Sequence, residues 1–215
     1  MAITAKTKES EVEIPCGRRR LNGILRLPPE AKSVVAFAHG SGSGRFSPRN
    51  QFVARALEES GLATLLLDLL EEEEAEDRAN VFDIELLAER LHSAAEWLCH
   101  EPETQALRLG YFGASTGAGA ALVAAARDPA AVGAVVSRGG RPDLAHAYLS
   151  AVRAPTLLIV GGNDDVVLEL NEQALRQLHC SKELVIVPGA THLFEEPGTL
   201  EEVARLAKQW FVRHL

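Results

Sequence analysis

The chain has 215 residues, of which 47% are hydrophobic and 24% charged, and its formal net charge is −8 at pH 7. These proportions fit a globular protein whose residues 1–215 form one domain with a substantial core. The negative charge disfavours nucleic-acid binding, which calls for a basic face, and no apolar run approaches the ~20 residues of a membrane span.

The three cysteines, Cys16, Cys99 and Cys180, are scattered along the chain and lack the spacing of metal ligands. An odd number of unclustered thiols is typical of proteins in a reducing compartment. The first residues, 1–6, lack the apolar core of a secretory signal. We therefore expect a cytoplasmic protein with no bound metal and no cofactor.

The first half of the chain alternates apolar strands with helical patterns. In chain order the predicted elements are a hairpin with strands at 11–15 and 21–27, a strand at 33–38, a helix at 52–60, a strand at 62–67 and a long helix at 81–100. The segment between the last two, residues 71–78, is so rich in glutamate that we expect it to be a solvated loop.

The second half continues the same alternation. Its predicted elements are a strand at 107–112 with the helix that follows it, a strand at 132–137, a short helix at 142–151, a strand at 155–160, a helix at 168–179, a strand at 183–187 and a closing helix at 200–215. Most of these strands are continuous apolar runs, which is typical of parallel strands buried on both faces.

This order predicts an α/β fold: a mostly parallel, doubly wound sheet of about eight strands with helices on both faces. The opening hairpin would add antiparallel strands at one edge. Every connection between the predicted elements is short, so we expect no separate lid domain.

The most informative stretch is Gly113-Ala114-Ser115-Thr116-Gly117, which lies between a predicted strand and an alanine-rich helix. Such a sharp strand-to-helix turn strains the backbone and leaves no room for side chains beside the serine. The turn would present the Ser115 hydroxyl at the N-terminus of the helix, where developing negative charge is favoured. A phosphate loop is not supported, because no Gly-Lys-Ser/Thr sequence follows. We interpret Ser115 as a nucleophile.

Two further chemical residues follow later strands: Asp164 and His192. Ligands of open parallel sheets bind beyond the carboxyl ends of the strands, and the order Ser…Asp…His is the one expected of a triad on this architecture. Ser115 needs a base, His192 can accept and return its proton, and Asp164 would orient the imidazole. Asp165 is an alternative acid, but Asp164 is preferred because it lies at the tip of the turn.

An oxyanion hole should accompany such a triad. We expect it to consist of the backbone N–H groups of Thr116, which follows the nucleophile, and Ser41, which follows His39-Gly40 after the strand at 33–38. His39 and Gly40 are candidate substrate contacts for the same reason.

These motifs together resemble the α/β-hydrolase fold, and within it the small, lidless dienelactone-hydrolase-like group. The resemblance covers nearly the whole chain and rests on residues 39–42, 113–117, 161–167 and 191–192. It implies a hydrolase that forms an acyl-enzyme on Ser115. Dienelactone hydrolases carry cysteine as the nucleophile, so Ser115 is a departure that favours general carboxylester hydrolysis. Some relatives are fused to phosphoribosyltransferase-like domains, and no such domain is expected here.

Substrate preference is less determined. Arg45 and Arg49 follow the glycine-rich loop at residues 39–44, which we call the oxyanion loop, while Arg138 and Arg141 follow another strand end. They could bind an anionic group of a small-molecule substrate, or they could pair with the acidic residues 71–77 or stay solvated. These alternatives stay open.

The leading hypothesis is a serine hydrolase of small esters, thioesters or lactones, acting as a monomer or homodimer without a nucleic-acid or membrane partner. One alternative is an acyltransferase on the same fold, which would be stimulated by an added acceptor. Another is a non-catalytic ligand-binding module that keeps the fold.

Overall fold

The computed structural model describes residues 6–215, so the N-terminal stretch considered for targeting lies outside the described residues except for Lys6. Eight strands form one sheet in the order β1-β2-β4-β3-β5-β6-β7-β8. The strands are β1 (Lys8–Cys16), β2 (Arg19–Leu27), β3 (Ser33–Ala38), β4 (Ala63–Leu67), β5 (Arg108–Ala114), β6 (Val132–Arg138), β7 (Thr156–Gly161) and β8 (Lys182–Val187).

The strand directions confirm the prediction of a mostly parallel sheet with an antiparallel hairpin at its N-terminal edge. β1 pairs antiparallel with β2, and β2 pairs antiparallel with β4. All further pairings, from β4 through β3, β5, β6 and β7 to β8, are parallel. The carboxyl ends of β3, β5, β6, β7 and β8 therefore lie at one edge of the sheet.

Helices cover both faces of the sheet, as predicted. They are α1 (Pro48–Glu58), α2 (Glu72–Glu76), α3 (Arg78–Val81), α4 (Ile84–His100), α5 (Thr116–Arg127), α6 (Asp165–Gln177) and α7 (Thr199–His214), with a 3-10 segment at Pro142–Ala151. None of the helices within residues 6–215 combines the length and the apolar character that a membrane crossing requires.

Two apolar clusters hold the layers together. Because successive strand residues point to opposite faces, Val34 and Ala36 of β3 join the cluster under α4 and α5, whereas Val35 and Phe37 join the cluster under α1 and α7. All six residues of β3 are buried. The central strands are thus apolar on both faces, which explains their continuous hydrophobic runs.

The prediction of a loop at residues 71–78 is wrong, because the structure forms the short helices α2 and α3 there. Glu74 accepts a hydrogen bond from the backbone N–H of Glu71, and Asp77 accepts one from Ala79 at the start of α3. Arg19 and Arg90 pair with Glu74, each at 3.0 Å. These arginines offset the repulsion between neighbouring glutamates. No separate lid domain is inserted between the elements of residues 6–215.

A close contact between β3 and α5 fixes the position of the central turn. A Cβ on Gly117 would overlap the carbonyl oxygens of Ala38 and His39. Gly119, two residues further along the same helix, is less crowded, since its added Cβ would lie 3.1 Å from the carbonyl oxygen of Arg141.

We expect Gly117→Ala to lower the free energy of unfolding by about 3 kcal/mol or more, because backbone atoms must shift to admit the methyl group. Gly119→Ala is the matched control and should stay within about 1 kcal/mol of wild type, since the helix gains propensity while two contacts, to Arg141 and Leu144, tighten. Urea unfolding followed by circular dichroism measures both. Equal losses in the two variants would contradict the proposed role of the β3–α5 contact.

Candidate active site

Ser115 occupies the sharp turn between β5 and α5. Its φ of 50° and ψ of −122° lie in a region that residues with a side chain rarely adopt. Neighbouring backbone holds this conformation: Ser115 N–H donates to the carbonyl of Arg138 at 3.3 Å, and its own carbonyl accepts from Arg141 N–H at 3.0 Å. This positive φ at a strand-to-helix turn is the backbone conformation that a nucleophile elbow would require of Ser115.

Asp164 and His192 come together at the ends of β7 and β8. His192 Nδ1 lies 2.7 Å from Asp164 Oδ2, within hydrogen-bond distance. Asp165 is exposed as the first residue of α6. The carboxylate that meets the imidazole is therefore the one preferred from the sequence, and Nδ1 is the ring nitrogen that carries the hydrogen toward it.

Gly139 allows the end of β6 to pack against His192. A Cβ built on Gly139 would come within 3.0 Å of the His192 carbonyl oxygen and 3.6 Å of its ring atom Cε1. The φ of Gly139 is 50°, so its conformation also disfavours a side chain. Consequently Arg138 and the catalytic candidate His192 belong to adjacent walls of the same site.

Ser41 and Thr116 lie on either side of the closest approach between the β3 loop and the elbow. A Cβ on Gly40 would lie 3.0 Å from Ser115 Cβ, so glycine permits the loop to reach the nucleophile. Among the described residues, neither the Ser41 nor the Thr116 N–H donates a hydrogen bond. Thr116 is the first residue of α5, where helical N–H groups are free. Both N–H groups are available to a ligand oxygen.

His39 supports this loop through both ring nitrogens. Its Nε2 accepts the Leu69 N–H at 3.0 Å, and its Nδ1 lies 2.9 Å from the carbonyl oxygen of Gly40. Because Nε2 is an acceptor, the proton must lie on Nδ1 and the ring is neutral. Burial lowers the pKa of His39 below its ordinary value, more than Asp68 and the Gly40 carbonyl raise it.

The four arginines that the sequence analysis named as possible anion-binding residues lie in different environments. Arg45 pairs with Asp68 and lines a groove beside β1 and β2 rather than the cavity of Ser115. Arg141 makes two 2.8 Å hydrogen bonds to Asp143. Arg49, near the start of α1, lies 3.1 Å from Glu195.

Arg138 differs from these three arginines. It is 8% exposed and forms no salt bridge with any described carboxylate, and its Nε lacks a hydrogen-bond partner. Its guanidinium lies 6.0 Å from the centre of the Phe194 ring. Burial, with a smaller contribution from the charge of Arg49, lowers the pKa of Arg138 to about 10. The side chain is therefore still a cation at neutral pH.

A cavity of about 170 Å³ brings the chemical residues together; we call it the nucleophile cavity. Ser115 and His192 line it together with Ser41 and Gly40 of the oxyanion loop, and its remaining walls are Ser43, Ser47, Arg49, Ala114, Arg138 and Leu193. Within residues 6–215, no cluster of three or more potential ligands could hold a metal ion.

A second cavity, of about 150 Å³, lies on the other side of the oxyanion loop, and we call it the apolar cavity. It shares Gly40, Ser41 and Ser43 with the nucleophile cavity, and it is closed by Ala75, Val81 and Leu87 of α2, α3 and α4. His39, Gly42 and Thr116 complete it. Thr116 Oγ1 is buried there without a partner among the described residues.

Sequence reasoning missed the apolar cavity and the wall residues Ser43, Ser47 and Leu193. The cavity depends on α2 and α3, and the acidic composition of residues 71–78 had predicted a loop in their place. The amphipathic spacing of α4 marks Leu87 as an inward-facing residue, but spacing alone does not show what it faces.

The comparisons with a family model and with solved structures agree with one another. The family model for the dienelactone hydrolase family matches residues 23–213. The crystal structure of a dienelactone hydrolase from Anabaena variabilis is 58% identical, with a TM-score of 0.95, and the match covers 98% of this chain and 100% of that one. An α/β serine hydrolase without lid from Xanthomonas campestris, 21% identical with a TM-score of 0.77, covers 98% of this chain and 97% of its own, and shows the same fold.

A Mycobacterium tuberculosis protein, named provisionally as a phosphoribosyl transferase, is 59% identical over 208 residues. The match covers 97% of this chain but 47% of that protein. The chain thus spans about half the length of this curated relative, whose name describes the longer protein.

Lowering the pH should weaken the fold through His39. Because its folded pKa lies below the unfolded value near 6.5, the unfolded state binds the proton first, and stability falls as the pH drops below about 6.5. We expect the free energy of unfolding of wild type to fall more steeply between pH 7 and 5 than that of His39→Gln, by up to about 1.4 kcal/mol per pH unit. The exposed His179→Gln is the control and should keep the wild-type slope. Parallel slopes for wild type and His39→Gln would contradict a neutral, partly buried His39 with a lowered pKa.

Proposed function

The chain belongs to the dienelactone hydrolase family, and from that premise we propose that it is a serine hydrolase of small carboxylic esters, thioesters or lactones. The family and the fold support hydrolase activity in general. The finer assignment rests on one observation: the Asp164–His192 hydrogen bond lies beside the strained turn that presents Ser115 into the same cavity. This arrangement supplies a nucleophile, a base and an orienting carboxylate.

In the first half of the proposed reaction, His192 takes the proton of the Ser115 hydroxyl as the oxygen attacks the carbonyl carbon of the ester. The carbonyl oxygen becomes an oxyanion, stabilised by the N–H groups of Ser41 and Thr116. Asp164 stabilises the imidazolium and keeps Nδ1 protonated. The tetrahedral intermediate then collapses, the bond to the leaving group breaks, and His192 gives its proton to the departing oxygen or sulfur.

In the second half, a water molecule attacks the acyl-Ser115 ester while His192 takes the proton of that water. The same two N–H groups stabilise the second oxyanion. Collapse releases the carboxylic acid and returns the proton to Ser115 Oγ. Every proton that leaves a reacting oxygen passes through His192, so the cycle ends with the enzyme in its starting state.

We place this enzyme in the cytoplasm, as a monomer or homodimer acting on a small-molecule ester. The three cysteines are all unpaired thiols, as expected of a reducing compartment.

Ser115→Ala should abolish labelling by a fluorophosphonate probe and lower kcat for p-nitrophenyl acetate by about 10⁶-fold, because no other group can form the acyl-enzyme. The exposed Ser150→Ala is the control and should label and turn over like wild type. In-gel fluorescence and the release of p-nitrophenolate measure the two effects. Labelling of folded Ser115→Ala at the wild-type level would refute Ser115 as the nucleophile.

Asp164→Asn should lower kcat by about 10³- to 10⁴-fold, because an amide cannot hold the Nδ1–H tautomer or stabilise the imidazolium. Asp165→Asn changes the neighbouring carboxylate in the same way and should keep kcat within about threefold. Steady-state kinetics on one ester compare both variants. A larger loss in Asp165→Asn than in Asp164→Asn would reverse the assignment of the acid.

A further inference from the structure

Asn171 is a polar residue buried in the middle of α6. Its side chain is 0% exposed, although asparagine is a poor residue for a helix interior and a buried amide must find hydrogen-bond partners. Its Nδ2 donates to the Gly140 carbonyl at 2.9 Å and to the Val167 carbonyl, one turn earlier in the helix, at 2.7 Å. Its Oδ1 has no hydrogen-bond partner among the described residues. An amide with one unpaired polar atom contributes little to core stability, so the bond to Gly140 is what distinguishes Asn171 from an apolar residue.

The Gly140 carbonyl depends on this amide. Gly140 belongs to residues 139–141, which we call the β6 turn, and no backbone N–H in the described part of the chain donates to its carbonyl. The turn is also tightly packed, because a Cβ on Gly140 would overlap Ser137 Oγ and would lie 2.6 Å from the Cβ of Ala118 in α5. The β6 turn is therefore held between α5 on one side and Asn171 of α6 on the other.

The β6 turn contacts both the nucleophile and the base of the candidate triad. Arg141 N–H donates to the Ser115 carbonyl at 3.0 Å, and the carbonyl of Arg138, at the end of β6, accepts the Ser115 N–H at 3.3 Å. A Cβ on Gly139 would lie 3.0 Å from the His192 carbonyl oxygen, so the turn also packs against the base. A displacement of this turn would move Ser115 and His192 relative to each other.

The helix that carries Asn171 also begins at the acid of the triad. Asp164 is the N-cap residue of α6, and its Oδ2 lies 2.7 Å from His192 Nδ1. Asn171 lies about two turns further along the same helix. The helix thus binds the base at its first turn and the β6 turn in its middle, and the β6 turn in turn binds Ser115. These contacts form a closed ring that connects the acid, the base and the nucleophile.

We infer that Asn171 is a positioning residue of the proposed triad: its amide fixes the β6 turn to α6 and thereby sets the separation between Ser115 Oγ and the imidazole of His192. The inference rests on the proposed serine hydrolase activity and adds to it a residue that does not line the nucleophile cavity. Proton transfer from serine to histidine requires hydrogen-bond distance, and a misplacement of about 1 Å can lower the rate by about 10²-fold.

Asn171→Leu replaces the amide by an apolar group of similar shape and leaves the Gly140 carbonyl without a donor. Stopped-flow release of p-nitrophenolate, with enzyme in excess over p-nitrophenyl acetate, separates the acylation rate constant from the dissociation constant of the ester. We expect the acylation rate constant to fall by about 10- to 100-fold and the dissociation constant to stay within about threefold, because the walls of the cavity are unchanged. Asn171→Ser, whose side chain is too short to reach Gly140, should lower the rate constant in the same way and serves if the leucine variant does not fold.

Two further variants of α6 separate positioning from a general loss of stability. Gln173→Leu makes the same amide-to-leucine change on the exposed face of the helix and should keep both constants. Ala174→Gly weakens the helix at a buried position and should keep the acylation rate constant of the folded protein. A loss in Ala174→Gly equal to that in Asn171→Leu overturns the inference, and so does a wild-type rate constant in folded Asn171→Leu or Asn171→Ser.

A double-mutant cycle shows whether Asn171 acts through the base. His192→Ala removes the imidazole, so nothing remains for the β6 turn to align with the serine. In that background Asn171→Leu should lower the residual acylation rate constant by less than about twofold. The same fold-loss in both backgrounds overturns the inference, because a merely structural effect does not depend on His192.

Hydrogen exchange followed by mass spectrometry distinguishes a failure of this inference from a failure of the proposed function, since it needs no turnover. The N–H groups of Ser115 and Arg141 should exchange at least about tenfold faster in Asn171→Leu than in wild type, and Gln173→Leu should match wild type. Faster exchange in a protein whose wild type hydrolyses no ester contradicts the proposed function and supports the hold of Asn171 on the turn. Wild-type exchange in folded Asn171→Leu overturns that hold whatever the esterase activity.

Discussion

The reversal of the chain at Ser115 requires three backbone segments to approach one another more closely than side chains would allow. Gly113 lies against the start of α5, Gly117 against the carbonyls of Ala38 and His39, and Gly40 against Ser115 itself. The positive φ of Ser115 is maintained by hydrogen bonds to Arg138 and Arg141 on the neighbouring segment. Ser115, the loop that follows β3 and the end of β6 at Arg138 are therefore fixed to one another by the same close packing.

The electrostatics of the site follow from this geometry. β6 pairs with β5 up to Ala114 and Arg138, so the arginine lies next to the elbow on the adjacent strand. On the other side of the oxyanion loop, α2 and α3 close a cavity with apolar side chains beneath an acidic surface. The two sides of the candidate site thus differ in charge.

The sequence contained enough information for the sheet, the sharp turn at Ser115 and the position of Asp164 and His192 after strand ends, because each depends on local patterns: apolar runs, glycine spacing and the residues after strand ends. The helices α2 and α3 could not be predicted from local patterns, because Glu74 is stabilised by Arg19 and Arg90, which are distant from it in the chain. The sequence also does not show which arginines have carboxylate partners. Those partners can be distant in the chain: Glu195, for example, lies 146 positions from Arg49.

The most direct test of the acyl-enzyme is to observe it. Wild-type protein is mixed with a slowly hydrolysed aryl ester, quenched in acid within the first turnover, digested and analysed by mass spectrometry. We expect the mass of the acyl group on the peptide that contains Ser115, appearing before steady-state product and disappearing as the ester is exhausted. Full turnover with Ser115 unmodified at every time, or acylation at another residue that forms and decays at the catalytic rate, would contradict the account.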